Sequence, residues 1–273
     1  PCFAGNAALL GCCDVIIATK NSNIGMGGPV MIEGGGLGVF KPEEVGPMDI
    51  QTANGVVDIE VEDDVEAVAV AKKYLSYFQG ITPSWQAGDP LRLRDLVPES
   101  RKRAYNVRTV IKALADTDSF LELRPKFGPG MVTGLLRIEG RPFGVIANNS
   151  MHMAGAIEAE GADKAARLMM LCNAHGLPIL SLCDTPGFMV GPEIEKRAQV
   201  RHVCRMFVVG SHVTVPYFSV ILRRGYGLGV MAMARGGFHE SFFSVAWPTG
   251  EFGAMGLEGA VKAGFKKELA AEE

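Results

Sequence analysis

Apolar positions in this chain fall into two kinds of stretch: short dense runs closed by glycine or proline, and longer stretches with a helical period. The sharpest run is residues 179–191, ILSLCDTPGFMVG. It predicts a buried strand that stops at the tight turn Asp184-Thr185-Pro186-Gly187. A polar helix start follows at Glu193, Glu195, Lys196 and Arg197. Pro186 fixes φ there, and Gly187 lets backbone approach a ligand closely. In open α/β folds ligands bind just past the carboxyl end of such a strand.

Taken in order, residues 4–13 predict a turn feeding a buried helix, and residues 15–18 a strand. Residues 25–38, GMGGPVMIEGGGLG, predict a close-packed loop lining a cleft. They carry neither the Lys-Ser/Thr of a phosphate loop nor the GxGxxG spacing of a dinucleotide fold. Residues 54–62 alternate like a strand after an Asn-Gly turn. Residues 63–78 give the clearest helix, capped by Asp63 or Asp64, with Val65, Val68, Leu75 and Phe78 as its apolar stripe. Residues 82–103 hold Pro83, Pro90 and Pro98 without a period and predict a linker, placing a lobe boundary near residue 98. A short helix over 106–114 precedes two strands, 131–138 and 142–147, joined as a hairpin at Glu139-Gly140-Arg141. A helix over 163–175 follows, stopped by Gly176 and Pro178, with Met169 and Met170 as core filler. Beyond the opening strand come a helix over 199–209, a strand over 215–222 and the turn 223–229, RRGYGLG. Another helix starts at Gly229, with a strand over 242–247 and a last helix over 256–264. From Ser150 onward, repeated strand–turn–helix units argue α/β layering.

Composition narrows the function classes. A chain of 273 residues that is 48% hydrophobic can bury a sizeable core. A net charge of −3 gives no support to nucleic-acid or membrane-surface binding. No apolar run reaches the ~18 residues of a membrane helix, and no signal peptide is visible. The six cysteines form no CxxC, which predicts buried reduced thiols in an intracellular protein. The five histidines lack metal-ligand spacing, so no metal is expected. Proline at position 1, leading straight into CFAGNAALLGCC, gives the expectation of a piece of a longer protein.

No Ser/His/Asp order stands out, and Glu193 with Glu195 reads as solvated helix-start charge rather than an acid/base pair. Asp184-Thr185-Pro186-Gly187 imitates the DxxG switch of GTPases, but no GxxxxGK[S/T] loop precedes it. What recurs is a glycine turn opening a helix, at Ala4-Gly5-Asn6, Pro186-Gly187 and Gly227-Leu228-Gly229. Unpaired N–H groups at such starts are donors for an oxyanion. Two donor sites without a side-chain acid or base suit chemistry that joins two enolate-like partners.

Several of these segments, in order, carry a resemblance. CFAGNAALLGCCDVIIA, GMGGPVMIEGGGLG with PEEVG, RPFGVIANN, ADKAARLMMLCNAHGLPILSLCDTPGF, RRGYGLG and AWPTGEFGAMGLEGAV together resemble the carboxyltransferase (β) subunit of biotin-dependent acyl-CoA carboxylases, of the propionyl-, methylcrotonyl- and acetyl-CoA carboxylase type. The resemblance implies a crotonase-like (ClpP/crotonase) α/β fold, a superhelix of ββα units. Residues 1–97 would end an N-terminal acyl-CoA lobe, and residues 98–273 would form the C-terminal carboxybiotin lobe. It implies transfer of a carboxyl group from carboxybiotin on a carrier protein to the α-carbon of a short acyl-CoA. The biotin ureido group takes the α-proton in that scheme. The backbone N–H groups of Gly5 and Asn6 would hold the thioester oxygen, and those of Leu228 and Gly229 the ureido oxygen. Gly227 would permit the bend, Gly187, Phe188 and Tyr226 would line the biotin side, and Met231 would set acyl length. Where the family commonly has Gly-Gly this chain has Gly5-Asn6, and where it has Gly-Gly-Ala-Tyr this chain has Gly227-Leu228-Gly229-Val230. The resemblance further implies a biotin carboxylase/biotin carrier partner, a homo-oligomer (a hexamer in the family) with active sites between subunits, and a cytoplasmic location. A sodium-pump decarboxylase subunit, a CoA hydratase or isomerase, and a non-catalytic assembly subunit stay open as alternatives.

Overall fold

The structure is a computed structural model that describes residues 1–272. The chain forms two compact units, residues 1–79 with 122–127, and residues 80–121 with 128 onward. In the first unit, β1 (Cys2–Phe3) leads into α1 (Gly5–Gly11), and β2 (Ile17–Thr19) precedes β3 (Ile24–Gly25). Helices α2 (Pro29–Gly34) and α3 (Met48–Ala53), strand β4 (Ile59–Val61) and helix α4 (Asp64–Ser76) follow. β1 pairs parallel with β3, and β2 parallel with β4. Ala7, Ile16, Ala18, Ile24, Met48 and Val57 form the core. Buried Asp58 accepts the Ile16 N–H at 2.9 Å and faces Arg124 Nε at 3.0 Å. That pairing answers the cost of burying the carboxylate.

Three expectations fail here. Helix α1 forms, but only Ala7 is buried and Leu9 is 72% exposed. Its glycine- and alanine-rich face has little area with which to exclude water. In α4 the Asp63 carboxylate caps as expected, accepting the Glu66 N–H at 2.9 Å. The apolar stripe is a different one: Val65 is 80% exposed, while Ala67, Val70, Ala71 and Tyr74 turn inward. The helix has apolar residues on two faces, and the alanine face lets it lie closer to β2 and β4. The glycine-rich 25–38 stretch, expected as loop, contains the end of β3 and a helix begun by Pro29.

Short strand β5 (Leu121–Leu123) precedes the sheet of the second unit, which runs β10-β9-β8-β7-β6 with β11 also on β9. β6 (Met131–Ile138) and β7 (Arg141–Asn148) pair antiparallel around a two-residue turn. Glu139 and Gly140 both have positive φ, 52° and 73°, the turn that suits the strand twist. A Cβ on Gly140 would lie 2.3 Å from the Thr82 carbonyl, so the turn takes glycine. β8 (Ile179–Thr185), β9 (Tyr217–Tyr226), β10 (Phe243–Ala246) and β11 (Glu251–Gly253) add in parallel. Every residue of β8 is buried, as its unbroken apolar run predicts.

Helices α5 (Leu93–Leu96) and α6 (Val107–Leu114) cover one face of this sheet. α7 (Ala159–Ala174) and α9 (Gln199–His212) pack on each other, with α8 (Pro192–Glu195) leading into α9. α10 (Gly227–Met233) follows β9 without a linker, and α11 (Leu257–Gly264) and α12 (Lys266–Glu272) close the chain. In α7, Met169 is fully buried but Met170 is 55% exposed, a correction to its reading as core. The cysteine expectation also divides. Cys172 and Cys183 are buried, but Cys12, Cys13 and Cys204 are exposed. Residues 82–103 are not a bare linker. Val97 belongs to the core cluster, with Leu93 and Leu96 packed against it. The 223–229 turn is corrected too, because β9 continues through Arg223 to Tyr226 before the helix begins. Among the described residues, no helix is long and apolar enough to cross a membrane.

Candidate functional site

The end of β8 carries a buried charge cluster. Asp184 is 0% exposed, yet its carboxylate receives four donors. Arg223 supplies Nη2 at 2.9 Å and Nε at 3.2 Å; Arg224 supplies Nε at 2.7 Å and its backbone N–H at 3.2 Å. Neighbouring residues of a regular strand point to opposite faces. Both arginines reach one carboxylate because the register breaks. Cys183 pairs with Ile221 and Thr185 with Gly225, which sets Asp184 alone against Leu222, Arg223 and Arg224. Other guanidinium donors are used as well. Arg223 Nη1 donates to the carbonyls of Ser100 and Arg103 at 2.6 and 2.8 Å, and Arg224 Nη2 to Ala154 at 2.6 Å. Asp184 is therefore committed to holding the strand ends together and is not presented to a ligand.

The turns that leave β8 and β9 meet. Thr185 Oγ1 accepts the Gly187 N–H at 3.1 Å, and the Gly187 carbonyl accepts the Ile157 N–H at 3.0 Å. Gly187 sits at φ 123°, open to glycine and strained for other residues. A Cβ on Gly229 would stand 2.7 Å from Gly187 Cα and 3.3 Å from Phe188 N. The two backbones touch, and only hydrogen fits between them. The structure thus brings Gly187, Phe188 and Gly229 together. Phe188 is half-buried with its ring on Phe207, centroids 6.1 Å apart. Tyr226 caps α10 in extended conformation, and Gly227 turns the chain with φ 58°. The first-turn N–H groups of α10, at Gly227, Leu228 and Gly229, have no acceptor within their own helix.

Beside this turn lies a cavity of about 580 Å³ walled by Gly227, Leu228, Met231, Phe238, Phe252 and Ala254. Leu228 presents 60% of its surface and Met231 37%. The wall is nearly all carbon, suited to an apolar chain with polar recognition left to backbone amides. A second cavity, about 550 Å³, shares Phe252, Gly253 and Ala254 and contains Arg101, Tyr226 and Glu251. Tyr226 Oη donates to Glu251 Oε2 at 2.7 Å. Burial, and then this bond, raise the phenol above its ordinary range and keep it a donor. Arg101 and Glu251 lie 150 residues apart, and no local pattern in the sequence joins them. The one available signal was that Glu251 sits inside the AWPTGEFGAMG segment.

Gly5 and Asn6 belong to the first unit. There Ala4 turns the chain out of β1 at φ 53°, unusual for a residue with a Cβ, and its carbonyl accepts the Ala8 N–H at 3.0 Å. Gly5 and Asn6 are exposed and occupy the first two positions of α1. A Cβ on Gly5 would meet nothing within 4 Å, so local packing does not demand glycine there. Among the described residues no three His, Cys, Asp or Glu side chains gather as a metal site.

Comparison with known proteins fits this geometry into a family. The profile described as "Carboxyl transferase domain" matches residues 1–273, and the chain belongs to that family. An uncharacterized carboxylase of Bacillus subtilis (strain 168) is 35% identical over 99% of this chain and 55% of its own length. The methylmalonyl-CoA carboxyltransferase 12S subunit of Propionibacterium freudenreichii subsp. shermanii is 32% identical over 100% of this chain and 54% of its own. The chain spans about half the length of the curated relatives it matches. Among solved structures, a single-chain, multi-domain long-chain acyl-CoA carboxylase superposes with a TM-score of 0.94 at 57% identity, covering 99% of this chain and 28% of that one. The transcarboxylase 12S structure, solved as a hexamer with methylmalonyl-CoA bound, gives 0.88 at 32% identity, covering 99% and 54%. These superpositions bear out the crotonase-like α/β class.

Proposed function

We propose that this member of the carboxyl transferase family moves a carboxyl group from carboxybiotin, borne on a carrier protein, to the α-carbon of an acyl-CoA. The observation that carries the reading is the start of α10. Its first-turn residues Gly227 and Leu228 line an apolar cavity, and a second glycine turn is pressed against Gly229. Carboxybiotin, when bound, supplies the carboxyl group and the base. The chain's own part is then to bind, orient and exclude water. The N–H groups of Leu228 and Gly229 donate to the ureido oxygen, and those of Gly5 and Asn6 to the thioester oxygen. One such donor is worth ~3 kcal/mol in a transition state where charge develops. Gly227 sets the bend, Gly187, Phe188 and Tyr226 line the biotin side, and Met231 bounds the acyl chain.

The sequence suggested a short acyl group. The long-chain acyl-CoA carboxylase likeness and the carbon-lined cavity at Leu228, Met231, Phe238 and Phe252 favour a long one. The lobe assignment, 1–97 to acyl-CoA and 98–273 to carboxybiotin, belongs to this proposal. So do a biotin carboxylase/biotin carrier partner, assembly with further copies of the chain, and a cytoplasmic location. The test is carboxyl transfer by the full-length protein, assembled with its biotin-bearing partner and labelled bicarbonate, to acetyl-, propionyl- and palmitoyl-CoA. Transfer with preference for palmitoyl-CoA is expected. A carboxylated carrier that passes its carboxyl group to none of the three overturns the proposal. Net decarboxylation would favour the sodium-pump reading, and water addition to an enoyl-CoA the hydratase one.

A further inference from the structure

Strand β11 is only three residues long, yet it forms the wall shared by both cavities. Its register sets Glu251 against Arg224, Phe252 against Gly225 and Gly253 against Tyr226, ending where β9 becomes α10. The Ala254 carbonyl, next in the chain, stands 3.1 Å from where a Cβ on Gly227 would be. Whatever moves β11 therefore moves the surface against which the glycine turn rests. So short a strand has few ladder bonds with which to hold itself.

Side chains supply the hold. Glu251 Oε2 accepts the Tyr226 hydroxyl at 2.7 Å and Arg101 Nη1 at 3.3 Å. Arg101 Nη2 reaches Glu258 Oε1 at 3.3 Å in the first turn of α11. Arg101 itself sits in the segment whose Ser100 and Arg103 carbonyls accept Arg223. One guanidinium thus links β11 to the start of α11, and Glu251 carries that link on to Tyr226 at the end of β9. Tyr226 is the hinge of this arrangement, because it caps α10 through its backbone and binds Glu251 through its phenol. The pairs are partly exposed, so their worth to global stability is small. Their worth to geometry is larger, since a displacement of about 1 Å at a reacting centre costs on the order of 100-fold in rate.

We propose that Glu251 and Arg101 are positioning residues for carboxyl transfer: through Tyr226 and β11 they fix the Gly227–Gly229 turn that offers the backbone donors. The inference rests on the reading of those amides as donors given above. Three variants of the full-length protein, assembled with its biotin-bearing partner, test it: Glu251→Ala, Glu251→Gln and Arg101→Met. Two quantities are read, kcat and KM for the acyl-CoA, and amide hydrogen exchange of residues 226–231 without substrate. Glu251→Ala lowers kcat about tenfold or more, leaves KM within about twofold, and speeds exchange in that peptide about tenfold. Arg101→Met shows the same pattern at smaller size. Glu251→Gln, whose amide oxygen still accepts the Tyr226 hydroxyl, recovers most of kcat and of the protection. A Glu251→Ala protein with wild-type kcat, a loss carried by KM, or unchanged exchange at 226–231 overturns the proposal. A wild-type assembly that transfers no carboxyl group would sink the functional reading instead, while the exchange measurement still decides whether Glu251 holds the turn.

Discussion

Replacing Asp184 by asparagine removes the negative charge facing two buried cations while keeping the side chain's shape. Asp184 is 0% and the Arg223 side chain 1% exposed. The carboxylate accepts from Arg223 Nε and Nη2 and from Arg224 Nε and N, at 2.7–3.2 Å. Asparagine keeps one acceptor oxygen and points its own amide hydrogens at guanidinium donors. Breaking one side of a buried ion pair costs about 3–5 kcal/mol, because an uncompensated charge is left out of water. In a unit of this size each kcal/mol lowers Tm by roughly 2–4 °C, so a drop of roughly 6–20 °C is expected. Calorimetry and denaturant unfolding measure it, with the midpoint falling at constant m-value. The double variant Asp184→Asn with Arg224→Gln loses less than the sum of the two single variants, since the second change removes a charge the first left unpaired. A loss under about 1 kcal/mol, or strict additivity, would show that the cluster behaves as a surface pair and that the register break in β9 is held by something else.

Other outcomes are as definite. Gly229→Ala sets a methyl 2.7 Å from Gly187 Cα, where neither backbone can give, and costs about 1–3 kcal/mol in unfolding experiments; in the assembled enzyme it abolishes transfer, and wild-type turnover would refute the contact between the two turns. Met231→Glu places a carboxylate at the carbon-lined cavity and lowers kcat/KM for palmitoyl-CoA at least tenfold relative to acetyl-CoA, measured in competition. A thiol reagent at pH 8 modifies Cys12, Cys13 and Cys204 in the native protein, and Cys172 and Cys183 only after denaturation. Burial pushes the Cys172 thiol up to about 12 and raises the buried Tyr105 and Tyr217 phenols. The folded state holds these protons more tightly than the unfolded one, so their contribution to stability is complete below roughly pH 9 and drains away as pH rises toward 12. The denaturant midpoint should fall between pH 8 and pH 11, and a rise would contradict the sign.

How much was written in local sequence depended on how local the cause was. Strand β8, the 139–140 turn, the Asp63 cap and helices α6, α7 and α9 follow from apolar runs, turn chemistry and period. The α4 stripe did not follow, because a helix with two apolar faces is turned by whichever neighbour lets it lie closest. The apolar pattern ends β9 four residues early, because Arg223, Arg224 and Gly225 look like a polar turn until the two arginines find Asp184 on the adjacent strand.

Local patterns in the chain suffice for the α/β layering, the glycine turns at 187 and 227–229, and, through ordered motifs, the family. That Asp184 is a pin and not a ligand-facing wall emerges from long-range contacts alone. The tertiary structure also decides that Gly229 must be glycine because the Gly187 backbone lies against it, that Gly187 must be glycine for its own φ of 123°, and that Arg101 and Glu251 belong beside Tyr226. The reason is physical. Period and turn residues report the conformation of a few neighbouring bonds, whereas a buried charge or a backbone contact is satisfied by residues that the chain brings together from about 40 to 150 positions away.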